Sequence, residues 1–142
     1  MISGLDALPG CVLTMDALHT VHKTFEMVVD KQADFLVCVK GNAEDLRRTA
    51  ERILQRTTGD VQRGKTVDKA HGRIDTRGIE MTSTTPIETG WPHVHVVCRV
   101  TREREIRRRG QSVSTSCVQV YYVGSFAANQ YTPEQVLGLI RG

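Results

Sequence analysis

A short, largely apolar run, Cys11-Val12-Leu13-Thr14-Met15, stops at the acidic Asp16. A run of this length predicts a buried strand over residues 11–15. From residue 17 to 31 the period changes. Leu18, Val21, Phe25, Val28 and Val29 fall on one face and predict a helix. Asp34-Phe35-Leu36-Val37-Cys38-Val39 is a second continuous apolar run of strand length. Strand, helix and strand within about 30 residues predict a βαβ unit, with a right-handed crossover and parallel strands. Strands that are apolar on both faces fit a parallel sheet covered on both sides.

Gly41-Asn42 then opens another helix, with Asn42 as N-cap and Glu44 and Asp45 in the first turn. Leu46, Ala50, Ile53 and Leu54 supply its buried face, and it ends near Thr57, before Gly59. After Gly64 the texture changes. Residues 66–125 are rich in Thr, Val, Ser and Arg and follow period-two patterns. Val94, Val96, Cys98 and Val100 alternate with His93, His95, Val97 and Arg99, and Cys117 to Val123 is apolar on both faces. Three or four antiparallel strands are expected here. The last element is a helix, with Thr132 as N-cap, Pro133 at the first helical position and Gln135 closing a capping box. Val136, Leu137 and Ile140 give it an apolar side. The chain shows no internal repeat and no low-complexity segment.

Composition narrows the classes. The 142 residues are one domain's worth of chain, with 39% hydrophobic and 25% charged residues. A net charge of +3 and a pI of 8.8 permit an anionic partner without demanding one. Aromatics make up 5%, so stacking platforms for single-stranded nucleic acid are poorly supplied. No apolar run approaches a membrane span, and the start lacks the features of a signal peptide; a cytoplasmic protein is expected. Cys11, Cys38, Cys98 and Cys117 form no C-x-x-C pair and sit in apolar stretches, so they read as small buried hydrophobes. Trp91, between Gly90 and Pro92, reads as the anchor of a turn.

Four segments occur in order: Thr14-Met15-Asp16-Ala17-Leu18-His19-Thr20, then Ala33-Asp34-Phe35 through Val39-Lys40-Gly41-Asn42, then His71-Gly72-Arg73-Ile74-Asp75-Thr76-Arg77, and finally Leu137-Gly138-Leu139-Ile140-Arg141-Gly142. Together they resemble DDE transposases of bacterial insertion sequences, in the branch that includes the H-repeat-associated proteins. The resemblance implies an α/β fold: a partial ribonuclease-H-like core over residues 1–60, an antiparallel β-rich insertion over 61–128, and a C-terminal helix over 129–142 that returns to the core. It also implies DNA cleavage and strand transfer by three acidic residues that hold two Mg²⁺ or Mn²⁺ ions. Asp16 matches the second acid, as both catalytic residue and metal ligand. The acid-Gly-Lys setting of the first and the helical Glu of the third have no counterpart, so the chain is expected to be the central fragment of such an enzyme.

Two-metal phosphoryl transfer needs carboxylates that clamp ions about 4 Å apart. One Asp does not hold that pair, and the fragment is expected to be inactive by itself. Apart from the resemblance, Asp16 before an apolar-periodic helix also reads as an N-cap. His19 and His22 read as exposed helix residues that can also face DNA or a metal. His93 and His95 share a strand face but lack two further zinc ligands. Lys40 follows the second strand at the sheet edge of Asp16, as a phosphate contact or a solvated loop lysine. Arg73, Asp75 and Arg77 alternate along one strand face, as a grip on a phosphate backbone or as a cross-strand charge ladder. The densest basic stretch runs through Arg99, Arg102, Arg104, Arg107, Arg108 and Arg109 and, with Gly110-Gln111-Ser112, reads as a hairpin tip. It either contacts DNA without sequence preference or is a solvated turn whose charges discourage edge pairing. Three outcomes stay open: a transposase fragment, a non-catalytic DNA-binding or dimerising module, and an inert remnant. A homo-oligomer is expected, paired through an open sheet edge beside the Asp16 strand.

Overall fold

Two tight turns organise the chain. His71-Gly72 and Arg109-Gly110 each join long strands through a two-residue loop. Arg109 and Gly110 both have positive φ, 52° and 77°. That conformation matches the right-handed twist of the flanking strands and favours a hairpin. Gly72 also needs to be glycine: its φ is 67°, and a Cβ there would lie 2.8 Å from the Arg107 carbonyl oxygen. The Arg107 amide donates to the Gly72 carbonyl at 2.6 Å, which ties the two hairpin tips together.

The computed structural model describes residues 12–15, 34–39, 44–56, 61–91 and 93–141. In chain order the elements are β1 (Val12–Met15), β2 (Asp34–Val39), α1 (Glu44–Arg56), β3 (Gln62–Ala70), β4 (Arg73–Ser83), α2 (Pro86–Thr89), β5 (Val96–Arg108), β6 (Gln111–Gly124) and α3 (Pro133–Arg141). All six strands share one sheet in the order β1-β2-β6-β5-β4-β3.

The expected ribonuclease-H-like α/β core is not what forms. More than half of the described residues are strand, and the architecture is β-rich. Only β1 and β2 pair in parallel, over four residues, while β2–β6, β6–β5, β5–β4 and β4–β3 are all antiparallel. The physical reason is the hairpins. Strands joined by two residues pair antiparallel at once, whereas each further parallel pairing needs a long crossover. The apolar run of β2 was legible, but its second neighbour was not. That neighbour is β6, which returns from the far hairpin to pair Leu36 with Gly124 and Val39 with Tyr121. The period-two reading of residues 66–125 is realised as four strands, beginning at Gln62.

Among the described residues, α1 packs on one face of the sheet and α3 on the other. Toward α1, Phe35, Val37, Val39, Val97, Tyr121 and Val123 pack against Leu46, Ala50, Ile53 and Leu54. Toward α3, Leu36, Ile79, Met81, Val96, Cys98, Val100 and Phe126 pack against Val136 and Leu137. The α3 capping box forms as read: the Gln135 amide donates to Thr132 Oγ1 at 3.1 Å, and Gln135 Oε1 accepts from the Thr132 amide at 2.8 Å. Gly64 admits α3 to the sheet, because a Cβ there would lie 2.6 Å from Pro133 Cβ. Both helices cover only one end of the sheet. Burial fades along β5 beyond Val100, and residues 111–119 of β6 are exposed throughout. No described helix is long and apolar enough to cross a membrane.

Gly124 sits where β2, β5 and the loop after β6 converge. A Cβ there would meet the Phe126 ring and Val96 Cγ1, each at 2.9 Å, and the Phe35 carbonyl oxygen at 3.1 Å. All three neighbours are fully buried. The variant Gly124→Ala is therefore expected to lose about 1–3 kcal/mol of stability by overpacking, measured by denaturant unfolding.

Candidate nucleic-acid interface

The uncovered end of the sheet concentrates the arginines. Side chains alternate along β4, so Arg73, Asp75 and Arg77 share the face that Ile79 and Met81 present to α3. Register extends the row onto β5: Arg73 lies opposite Ile106, Asp75 opposite Arg104, and Arg77 opposite Arg102. Four arginines thus share one face of two adjacent strands, just past the end of the apolar core. Beyond them the β5–β6 turn adds Arg107, Arg108 and Arg109, all exposed.

One carboxylate organises part of this row. Asp75 is buried, at 6% exposure. Its Oδ1 accepts from Arg104 Nε at 2.7 Å and its Oδ2 from Arg104 Nη2 at 3.4 Å, while Arg73 Nε lies 3.2 Å from Oδ2. The hydrogen bond from Arg104 holds the Asp75 carboxyl below its ordinary value, and the charges of Arg104, Arg73 and Arg77 add to this. The cross-strand charge ladder therefore exists for Arg73, Asp75 and Arg104. Arg77 and Arg102 face each other across the same strands. Like charges directly opposite repel, and an anion between them relieves that repulsion.

At the tip, Arg107 is partly committed to the turn: its Nη2 donates to the Gly110 carbonyl at 2.8 Å, and its Nε lies 3.3 Å from Glu105. Arg108 and Arg109 take part in no ion pair among the described residues. The opposite sheet face is mixed in charge. There Arg99 Nε donates to Glu80 at 2.9 Å, and Arg63 reaches the same carboxylate at 3.4 Å.

The remaining candidates divide. Asp16 and Lys40, like His19, His22 and Cys11, lie outside the described residues. Among the described residues no group of three His, Cys, Asp or Glu side chains could hold a metal ion. A single matching carboxylate, Asp16, is a poor donor set for a metal pair. His93 and His95 do not share a strand face: β5 begins at Val96, and His93 occupies a turn with φ of 67°. His95 instead borders a cavity of about 820 Å³ with Ser83, Thr84, Ser125 and Asn129. Trp91 packs against the α1-side core from the turn after α2, as its Gly-Pro setting implies. Cys38 and Cys98 are buried, and burial pushes the Cys98 thiol up to about 12. Cys117 departs from expectation and is exposed, because the apolar stretch it opens reaches the core only near its end.

Arg102 and Arg104 are the residues that spacing alone left apart from Arg73 and Arg77. The signal lay in parity: counting by two from Val96, Cys98 and Val100 puts both on the α3 side.

A carboxylate held below its ordinary value stabilises the fold above that value, near pH 4, and loses the contribution as pH falls through the lowered one. The unfolding midpoints of the wild type and Asp75→Asn should therefore differ most above about pH 4 and converge in stronger acid. Thermal melts across acid pH check this; a gap independent of pH would count against it.

Comparison with known proteins finds no matching family model, no similar curated protein and no similar solved structure.

Proposed function

We propose that the chain is the central, DNA-contacting part of a transposase of the DDE type, and that by itself it binds duplex DNA without cutting it. The observation that carries this reading is the register that gathers Arg73, Arg77, Arg102 and Arg104 on one face, with Arg107, Arg108 and Arg109 at the adjoining tip. The ordered segments around Asp16, Lys40, Arg73 and Ile140 supply the transposase side of it.

The physics is that of backbone recognition. Arginine forks match phosphate oxygens and carry no base preference when they reach only the backbone. The scarcity of aromatics favours duplex over single-stranded DNA, since strand-independent binding of unpaired bases rests on stacking. A cytoplasmic setting goes with this partner. Strand transfer in the complete enzyme would use Mg²⁺ or Mn²⁺, with Asp16 as one ligand. This chain's part is to hold the duplex.

Binding should weaken steeply with salt, by about 0.9 in log–log slope for each phosphate neutralised. Replacing Arg107, Arg108 and Arg109 together with Ala should lower affinity for a duplex of arbitrary sequence. It should also flatten that slope by about 2–3. Fluorescence anisotropy across a salt series measures both, and an unchanged slope would sink the DNA reading.

Purified chain incubated with supercoiled plasmid and Mg²⁺ or Mn²⁺ should leave the plasmid intact on a gel. Nicked or linear product that Asp16→Asn abolishes would show that this chain is a nuclease in its own right.

A further inference from the structure

The edge strand β3 and the far part of β6, which runs past the end of its neighbour β2, differ in charge. β3, at one end of the sheet, carries Arg63, Lys65, Asp68 and Lys69 within nine residues. Charges of this density keep another strand away. β6 is covered by β2 only from Tyr121 to Gly124. The rest of it, Gln-Ser-Val-Ser-Thr-Ser-Cys-Val-Gln-Val over residues 111–120, has no strand on its outer side among the described residues. This stretch contains no charge, no proline and no glycine, in a chain with 25% charged residues. It leaves Val113 56% and Val118 43% exposed. The one feature that blunts it is a register irregularity opposite Ile106 and Arg107, which makes Val113 an extra residue in the ladder.

The backbone of this edge is aimed outward. The Gly124 carbonyl accepts from the His95 amide at 2.8 Å on the β5 side, whereas the Ser125 amide donates to Phe35 on β2 at 3.1 Å. Along an antiparallel strand the direction alternates from residue to residue. The N–H and C=O groups of Tyr121 therefore face β2, and those of Gln119, Cys117 and Thr115 face solvent past its end.

We propose that this edge pairs with the same edge of a second copy of the chain, antiparallel about a twofold axis at Thr115. Three observations select a second copy. A neutral strand meets itself without like-charge repulsion, while a charged strand would have to give up hydration against it. Read outward from Thr115, every pair is uncharged and two of the four are identical: Ser114 falls opposite Ser116 and Gln111 opposite Gln119, with Val113 opposite Cys117 and Ser112 opposite Val118. And the β2 ladder ends opposite Tyr121, so among the described residues β2 does not meet residues 111–119 of the second copy. The contact closes on itself, since each copy gives its edge to the other; Thr115 exchanges a pair of backbone hydrogen bonds with its own copy, and the irregularity at Val113, beyond which Gln111 faces Arg108, keeps the ladder short. A twofold axis of this kind is perpendicular to the sheet. The arginine faces of both copies therefore lie on the same side of a continuous sheet. The pairing uses a different edge from the one beside β1 and does not depend on DNA binding.

Light scattering on the eluting full-length chain tests it without DNA. The wild type should show twice the 15.8 kDa chain mass. Thr115→Pro removes an outward amide that the β5–β6 ladder does not use, and Thr115→Lys places a charge on the edge. Both should give a 15.8 kDa species that retains its β-sheet circular dichroism. If the proline variant fails to fold, the lysine variant decides. A wild type that stays at the single-chain mass at millimolar concentration overturns the proposal, as does a dimer that persists in the folded variants.

Discussion

The antiparallel β5–β6 hairpin is the constraint on which the rest of the structure depends. Its strands are 13 and 14 residues long, and it fills the middle of the sheet. Its turn works because Arg109 and Gly110 both accept positive φ. Once closed, it presents one strand to β4 and the other to β2. Every other pairing except β1 with β2 and β4 with β3 is made to one of its two strands. The helices then seal the end where both strands are apolar, α1 over Val97, Tyr121 and Val123, and α3 over Val96, Cys98 and Val100.

The same hairpin outruns its helices, and this separates structure from function along a single strand. The first residues of β5 are core. The later ones, from Arg102 on, lie beyond the reach of α3 and carry charge. Asp75 marks the boundary. It is buried, yet satisfied by Arg104 and Arg73, so its desolvation is compensated where an isolated carboxylate would be costly. It neutralises part of the row and locks Arg104 in place. Arg77, Arg102 and the tip carry the rest of the positive charge of the row.

Much of the local structure was readable from residues. The α3 capping box, the apolar stripe of α1, the buried run of β2 and the turn at Gly110 follow from spacing and side-chain chemistry at short range. The placement of Arg73 and Arg77 on one face was readable too, because a strand alternates with period two. The errors share a cause. A ribonuclease-H-like α/β core was extrapolated from β1 and β2, whose own parallel pairing does form, and Cys117 was assigned to the core because its stretch is apolar. Both depend on which strand lies alongside, and that is a long-range fact.

By itself, the sequence determined the strand β2, the helices α1 and α3 with their buried faces, and the turn at Gly110, because these rest on backbone preferences and periods within a few residues. Only the tertiary structure decided that β6 returns beside β2, that Arg102 and Arg104 join Arg73 and Arg77, that Asp75 is buried between arginines, and that a neutral stretch of β6 runs past the end of β2. These depend on register between strands distant in the chain, which the whole sheet settles by burying its apolar faces and pairing its backbone at once.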